Sequence, residues 1–172
     1  DEPFAVLFGD DIVDSKIPAL SQLIKVYEKT DSCVIACEKV SKDRISDYGV
    51  IDPYRALSGA AEGKPQSISV KGLIEKPKPS SAPSNLGIIG KYICTPDIFE
   101  HLEKATSSIK GEIKLIDGFR SMLENGKKIH ALEIEGIRYD TGNKWGLLQA
   151  SIAFAMKDPD LKEKIRKMCL DL

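Results

Sequence analysis

Two aspartates and one Glu-Lys pair are the residues of this chain whose types and surroundings suit chemistry. Phe4-Ala5-Val6-Leu7-Phe8 is an apolar run halted by Gly9-Asp10-Asp11, the pattern of a buried strand ending in a polar loop. A carboxylate at such a strand end can reach a hard cation, and Gly9 allows close backbone approach to a ligand. The same acidic pair also suits an ordinary turn cap. Ile74-Glu75-Lys76-Pro77 ends another apolar stretch. Glu75 offers an acceptor for sugar hydroxyls and Lys76 a cation for a phosphate, while Pro77 biases Lys76 toward extended backbone. Neighbouring side chains of an ideal strand point to opposite faces, so both residues serve one ligand only if the strand bends there or the lysine curls round. Otherwise the pair is an exposed loop salt bridge. The third constellation is Arg138-Tyr139-Asp140-Thr141-Gly142-Asn143. There Asp140 offers a second metal ligand or ligand contact, and Thr141 or Asn143 caps the helix that follows. Asp10 and Asp140 stand 130 positions apart, yet both follow strands, and one magnesium ion held between them is geometrically reasonable.

The elements that must position these residues are readable from periodicity. Leu20, Leu23, Ile24 and Tyr27 recur at helical spacing within 17–27, and Cys33-Val34-Ile35-Ala36-Cys37 is a second strand. Strand, helix, strand is the unit that builds a parallel sheet. Between Ser41 and Ser84 the texture turns to Gly, Pro, Ser and Lys with short strands at 49–51 and 70–74, consistent with hairpins and loops over one end of the sheet. Leu86 to Cys94 reads as a strand, and Thr95-Pro96-Asp97 as a helix start with Thr95 as N-cap. Further helices are predicted over 115–124, 143–156 and 158–170, with a strand at 129–134. The pattern is α/β with a mixed sheet, whose ligands collect at the carboxyl ends of strands.

Composition narrows the function classes. In 172 residues, 25 Lys and Arg face 26 Asp and Glu for a net charge of −1, which argues against a nucleic-acid or membrane-surface binder. No run approaches the apolar length of a membrane span. The four cysteines show no metal-ligand spacing and read as reduced thiols of a cytoplasmic protein. His101 and His130 lack partners at useful spacing. The stripe Leu161, Ile165 and Met168 in a Lys- and Glu-rich helix suits either a solvated face or a partner subunit.

The order of the motifs is more specific than any one of them. Phe8-Gly9-Asp10-Asp11, Asp47-Tyr48-Gly49-Val50-Ile51, Glu75-Lys76-Pro77, the run from Ala82 to Tyr92, Gly111-Glu112-Ile113 and Tyr139-Asp140-Thr141-Gly142-Asn143-Lys144 together resemble the bacterial UTP–glucose-1-phosphate uridylyltransferases, over nearly the whole chain. The resemblance implies a Rossmann-like nucleotidyltransferase fold with a mixed, mainly parallel sheet. It implies that UTP and glucose 1-phosphate give UDP-glucose and pyrophosphate, with Mg2+ as cofactor held by Asp10 and Asp140. By the same resemblance Glu75 accepts from sugar hydroxyls, Lys76 binds the sugar phosphate as the catalytic cation, the backbone at Gly49 and Ile88 lines the sugar pocket, and the full-length enzyme forms a homo-oligomer. Such a reaction gathers negative charge, so its catalyst mainly positions and neutralises.

The chain also departs from that family. Lys114 and Ile116 stand in Glu112-Ile113-Lys114-Leu115-Ile116-Asp117-Gly118 where relatives usually carry Gln and Thr. The Gly-rich, basic loop with which the family cradles a nucleoside triphosphate does not precede Asp1. Residues 1–172 are therefore expected to be a single domain, the carboxyl-terminal part of a longer enzyme, with little turnover in isolation. The rival expectations are a thymidylyltransferase or another sugar-nucleotide pyrophosphorylase, and a non-catalytic sugar-phosphate-binding module.

Overall fold

A computed structural model describes residues 2–54, 67–105 and 111–170. The elements in chain order are β1 (Phe4–Leu7), β2 (Asp11–Asp14), α1 (Ala19–Thr30), β3 (Cys33–Lys39), β4 (Gly49–Pro53), β5 (Ser67–Glu75), β6 (Leu86–Cys94), α2 (Ile98–Lys104), α3 (Leu115–Glu124), β7 (Ile129–Glu133), β8 (Ile137–Asp140), α4 (Lys144–Ala155) and α5 (Pro159–Leu170). A short 3₁₀ segment, Lys42–Asp47, leads into β4.

The main sheet has six strands in the order β1-β6-β3-β7-β5-β4, and β4 also touches back on β6 through Val50 and Gly87. Its central strands are apolar on both faces because helices cover both. Along β3, Cys33, Ile35 and Cys37 point to a core shared with Ile98, Phe119 and Met122 of α2 and α3, while Val34 and Ala36 point to Leu23 and Val26 of α1. This period-two division of one continuous apolar run makes a helix, sheet, helix sandwich.

The mixed sheet agrees with the sequence reading, but the expectation of mainly parallel strands does not hold. Among the described residues β3–β7 is the parallel pair, and the other ladders of the main sheet run antiparallel. β1 and β3 do point the same way, as a strand-helix-strand unit requires, yet β6 lies between them and opposes both. Nine residues long and buried nearly throughout, β6 takes the slot between β1 and β3. β4 runs antiparallel to both β5 and β6. A second difference concerns α2. Its helical turns begin at Ile98, and the Thr95 hydroxyl bonds Asp97 Oδ1 at 2.5 Å instead of capping the helix.

The loop expected after β1 contains a further strand. β2 pairs antiparallel with β8, Asp11 opposite Asp140, in a two-stranded ribbon separate from the main sheet. The last helices follow the ribbon. Asn143 is the N-cap of α4, its side chain accepting from Gly146 N–H at 2.8 Å.

Candidate functional site

The ribbon brings together the two aspartates that lie far apart in sequence. Thr141 donates from its backbone N–H (2.7 Å) and its hydroxyl (2.9 Å) to the carbonyl oxygen of Asp10, fixing the Asp10 turn against the end of β8. A Cβ placed on Gly142 would stand 2.9 Å from Asp10 Oδ2 and 3.2 Å from Asp140 Oδ1. Both carboxylates therefore border one small gap, left open because residue 142 has no side chain. Asp10 is exposed and Asp140 half-buried.

Asp11, next in sequence to Asp10, also borders the cavity described below but is bound by neighbouring residues. It is 6% exposed and its oxygens accept from Gly90 N–H (2.6 Å) and from Arg138 Nε (2.6 Å). Arg138 also donates to Glu38 Oε1 (3.0 Å) and to the Tyr48 hydroxyl (3.1 Å). The Lys91 ammonium donates to the carbonyl oxygens of Phe8 and Asp11. Burial pulls Lys91 below its ordinary pKa, against the opposing attraction of Asp11. Asp11, Arg138 and Lys91 thus clamp the ribbon and the Asp10 turn onto β6. Sequence reasoning missed the two cations, although a lysine inside the apolar strand Ile88-Ile89-Gly90-Lys91-Tyr92 was a signal that a partner must exist.

Glu75 and Lys76 close β5 and face the same cavity. The strand does bend there. Lys76 has φ of +47°, a left-handed conformation that costs a non-glycine residue about 1–2 kcal/mol. The extended backbone expected before Pro77 is thus not adopted. The bend is held by Lys76 N–H donating to the Tyr48 carbonyl and the Ser46 hydroxyl donating to the Pro77 carbonyl, both at 3.0 Å. It frees Lys76 from strict alternation and lets neighbours on a strand share one ligand space. Gly49 pairs directly opposite Glu75. A Cβ there would meet Ile116 Cδ1 at 2.9 Å and both Glu75 Oε2 and Ile88 Cδ1 at 3.2 Å.

The result is one cavity of about 600 Å³ whose lining includes Asp10, Gly49, Glu75, Lys76, Ile88 and Asp140. Each site residue expected from sequence borders it. A second cavity of about 430 Å³ continues past Glu75 to Lys114 and Ile116. Lys114 Nζ lies 3.0 Å from Glu75 Oε1, a contact that sequence reasoning did not assign.

A family model described as nucleotidyl transferase matches residues 1–156. The chain belongs to the nucleotidyl transferase family. Among similar members, a UTP–glucose-1-phosphate uridylyltransferase from Staphylococcus haemolyticus is 42% identical over 99% of this chain and 57% of the relative. One from Bacillus subtilis is 42% identical over 96% of this chain and 54% of the relative. The chain thus spans about half the length of these relatives. Among solved nucleotidyl transferase structures, a UTP-bound UGPase from Acinetobacter baumannii matches with a TM-score of 0.83 at 31% identity, over 99% of this chain and 57% of that one. A UDP-glucose pyrophosphorylase complexed with UDP-glucose matches with a TM-score of 0.79 at 36% identity, over 91% and 57%.

Proposed function

We propose that this chain carries the sugar-phosphate half-site and the metal carboxylates of a uridylyltransferase, which in the full-length protein converts UTP and glucose 1-phosphate to UDP-glucose and pyrophosphate. The observation that carries the reading is the convergence of Asp10 and Asp140 on one gap, in the cavity that also holds Glu75 and Lys76. Relatives at 42% identity bearing that activity in their names support it.

The donor set fits Mg2+. That ion is usually held by one or two carboxylates, with water and substrate phosphates filling the remaining positions. Two carboxylates border the Gly142 gap, and among the described residues no larger acidic or His and Cys group gathers to favour another cation. Asp10 and Asp140 would hold the ion, which would supply neutralisation of phosphate charge and alignment of the reacting groups.

This chain's residues do the remaining positioning. Lys76 pairs with the phosphate of glucose 1-phosphate, and Glu75 accepts from sugar hydroxyls. Gly49 and the Ile88 side chain bound the sugar ring. A phosphate oxygen so held bonds to the α-phosphorus of UTP, while the bond from that phosphorus to the β-phosphate breaks and pyrophosphate leaves with the electron pair. No covalent protein intermediate is needed, so charge and orientation carry the rate.

Two coarser features extend the reading. The exposed apolar face of α4, with Trp145, Leu148 and Ile152, supports a homo-oligomer. No helix among the described residues is long and apolar enough to cross a membrane, and the free cysteines Cys33, Cys37, Cys94 and Cys169 accord with a cytoplasmic setting.

Lys76→Ala and Lys76→Gly in the full-length protein test the assignment together. Both are expected to lower kcat/KM for glucose 1-phosphate by about a hundredfold, as loss of a charged phosphate contact would. Lys76→Gly also relieves the positive φ, so its thermal midpoint should stay at or above that of Lys76→Ala. Unchanged glucose 1-phosphate kinetics in both variants, or a preference of the unaltered protein for dTTP over UTP, would overturn the proposal.

A further inference from the structure

The Lys114 side chain occupies the pocket just described, and the role given to Glu75 does not account for it. Its backbone is fixed where α3 begins, the N–H donating to Asp117 Oδ2 at 3.0 Å. From there the side chain reaches the end of β5 and donates to Glu75 Oε1 at 3.0 Å. The Glu75 side chain is 10% exposed and that of Lys114 33%, so the carboxylate is the enclosed partner and the ammonium keeps an open side. Glu75 Oε2 lies 3.2 Å from where a Cβ on Gly49 would stand, facing the floor of the cavity. One carboxylate oxygen therefore carries a cation while the other remains turned to the ligand space.

This changes what the pocket can read. A carboxylate with both oxygens open accepts from two neighbouring hydroxyls. With Oε1 engaged, Glu75 accepts one hydroxyl at Oε2, and the ammonium, which has three N–H donors, can give one to the oxygen of the next hydroxyl. Both residues border the 430 Å³ cavity beside the main one, which leaves room for the ring to lie across the pair. The Glu75 carboxylate also raises the Lys114 pKa above its ordinary value, first through their hydrogen bond and then through their charges, so the donor persists throughout the neutral range.

We propose that Lys114 is a specificity-determining residue that, together with Glu75, presents an acceptor and a donor to two neighbouring hydroxyls of the sugar phosphate. The proposal rests on the sugar-phosphate reading of the cavity.

The test uses the full-length protein, Lys114→Met, Lys114→Arg and a series of singly deoxygenated glucose 1-phosphates. Lys114→Met should raise KM for glucose 1-phosphate about tenfold while KM for UTP stays within about twofold, and Lys114→Arg, which keeps a charged donor, should recover to within about threefold. In the unaltered protein two adjacent deoxy positions should each be penalised, and Lys114→Met should lose the penalty at one of them, as coupled partners do. Equal losses for UTP and glucose 1-phosphate, or no adjacent pair of sensitive hydroxyls, would overturn the assignment. If the unaltered protein neither turns over glucose 1-phosphate nor binds it by calorimetry, the sugar-phosphate reading falls and this one with it. If the unaltered protein binds it and Lys114→Met binds it equally well, the role of Lys114 alone falls.

Discussion

Asp10 and Asp11 are adjacent carboxylates that both border the cavity, but Asp10 is exposed while Asp11 is buried in an ion pair. Asp11 holds Arg138 in a pair whose side chains are 6% and 14% exposed. Removing its charge leaves the enclosed guanidinium with Glu38 as its remaining carboxylate partner, so the cost falls at the low end of that for breaking a buried pair, about 3 kcal/mol. Asp11→Asn should therefore lower the denaturation free energy by about that amount. Asp10→Asn, at an exposed position, should leave stability within about 0.5 kcal/mol while abolishing the response to added magnesium. Denaturant titration and a magnesium-dependent activity assay on the two variants check this. If Asp10→Asn unfolds the protein and Asp11→Asn spares it, the two roles have been exchanged. The sequence displayed both aspartates as one acidic pair, and both border the cavity; which of them is locked in an ion pair depends on Arg138, 127 residues away from Asp11 in the chain, and that separation hid the answer.

At the scale of elements the β2–β8 ribbon is the decisive feature, because it converts two distant strand ends into one gap. Gly142→Ala tests the gap itself. The added methyl would lie 2.9 Å from Asp10 Oδ2, so the exposed Asp10 side chain must swing aside, which is cheap for the fold and disruptive for a shared ion. The magnesium concentration giving half-maximal activity should rise about tenfold, a loss typical of disturbing the surroundings of a metal ligand. Thermal midpoint should hardly move, and an unchanged magnesium requirement would mean that the two carboxylates do not act on one ion. The long apolar strands, the amphipathic α1 and the Asn143 cap were legible because periodicity and capping chemistry act locally. The ribbon was not, since Asp11-Ile12-Val13-Asp14 and Ile137-Arg138-Tyr139-Asp140 are too short to show alternation above noise. The bend at Lys76 was hidden for a related reason: tertiary bonds to Tyr48 and Ser46 override the local preference set by Pro77. Lys114 was visible as a departure from the family pattern, but its meeting with Glu75 needed coordinates.

At the scale of the whole molecule, polar chemistry gathers at one end of the sheet and exposed apolar surface along the closing helices. In α4, Trp145, Leu148 and Ile152 follow helical spacing on one face and are 66%, 49% and 44% exposed, more than scattered surface residues explain. Sedimentation velocity on the full-length protein should show an oligomer, and Trp145→Glu combined with Leu148→Glu should shift it toward the protomer without unfolding, because neither side chain is buried. An oligomer that survives both charges places the subunit contact elsewhere. The fold class and its mixed sheet followed from the strand and helix pattern. The direction of most ladders did not, because it depends on which strand lies between β1 and β3, and β6, buried nearly throughout, takes that place.

The pairing of β2 with β8 also has a consequence for biosynthesis. Asp10 is translated 130 residues before its companion Asp140, which is made only after the described strands of the main sheet. No nascent chain halted before that point can bring the two carboxylates to one gap, so the gap forms only once the framework that bears it has been synthesised.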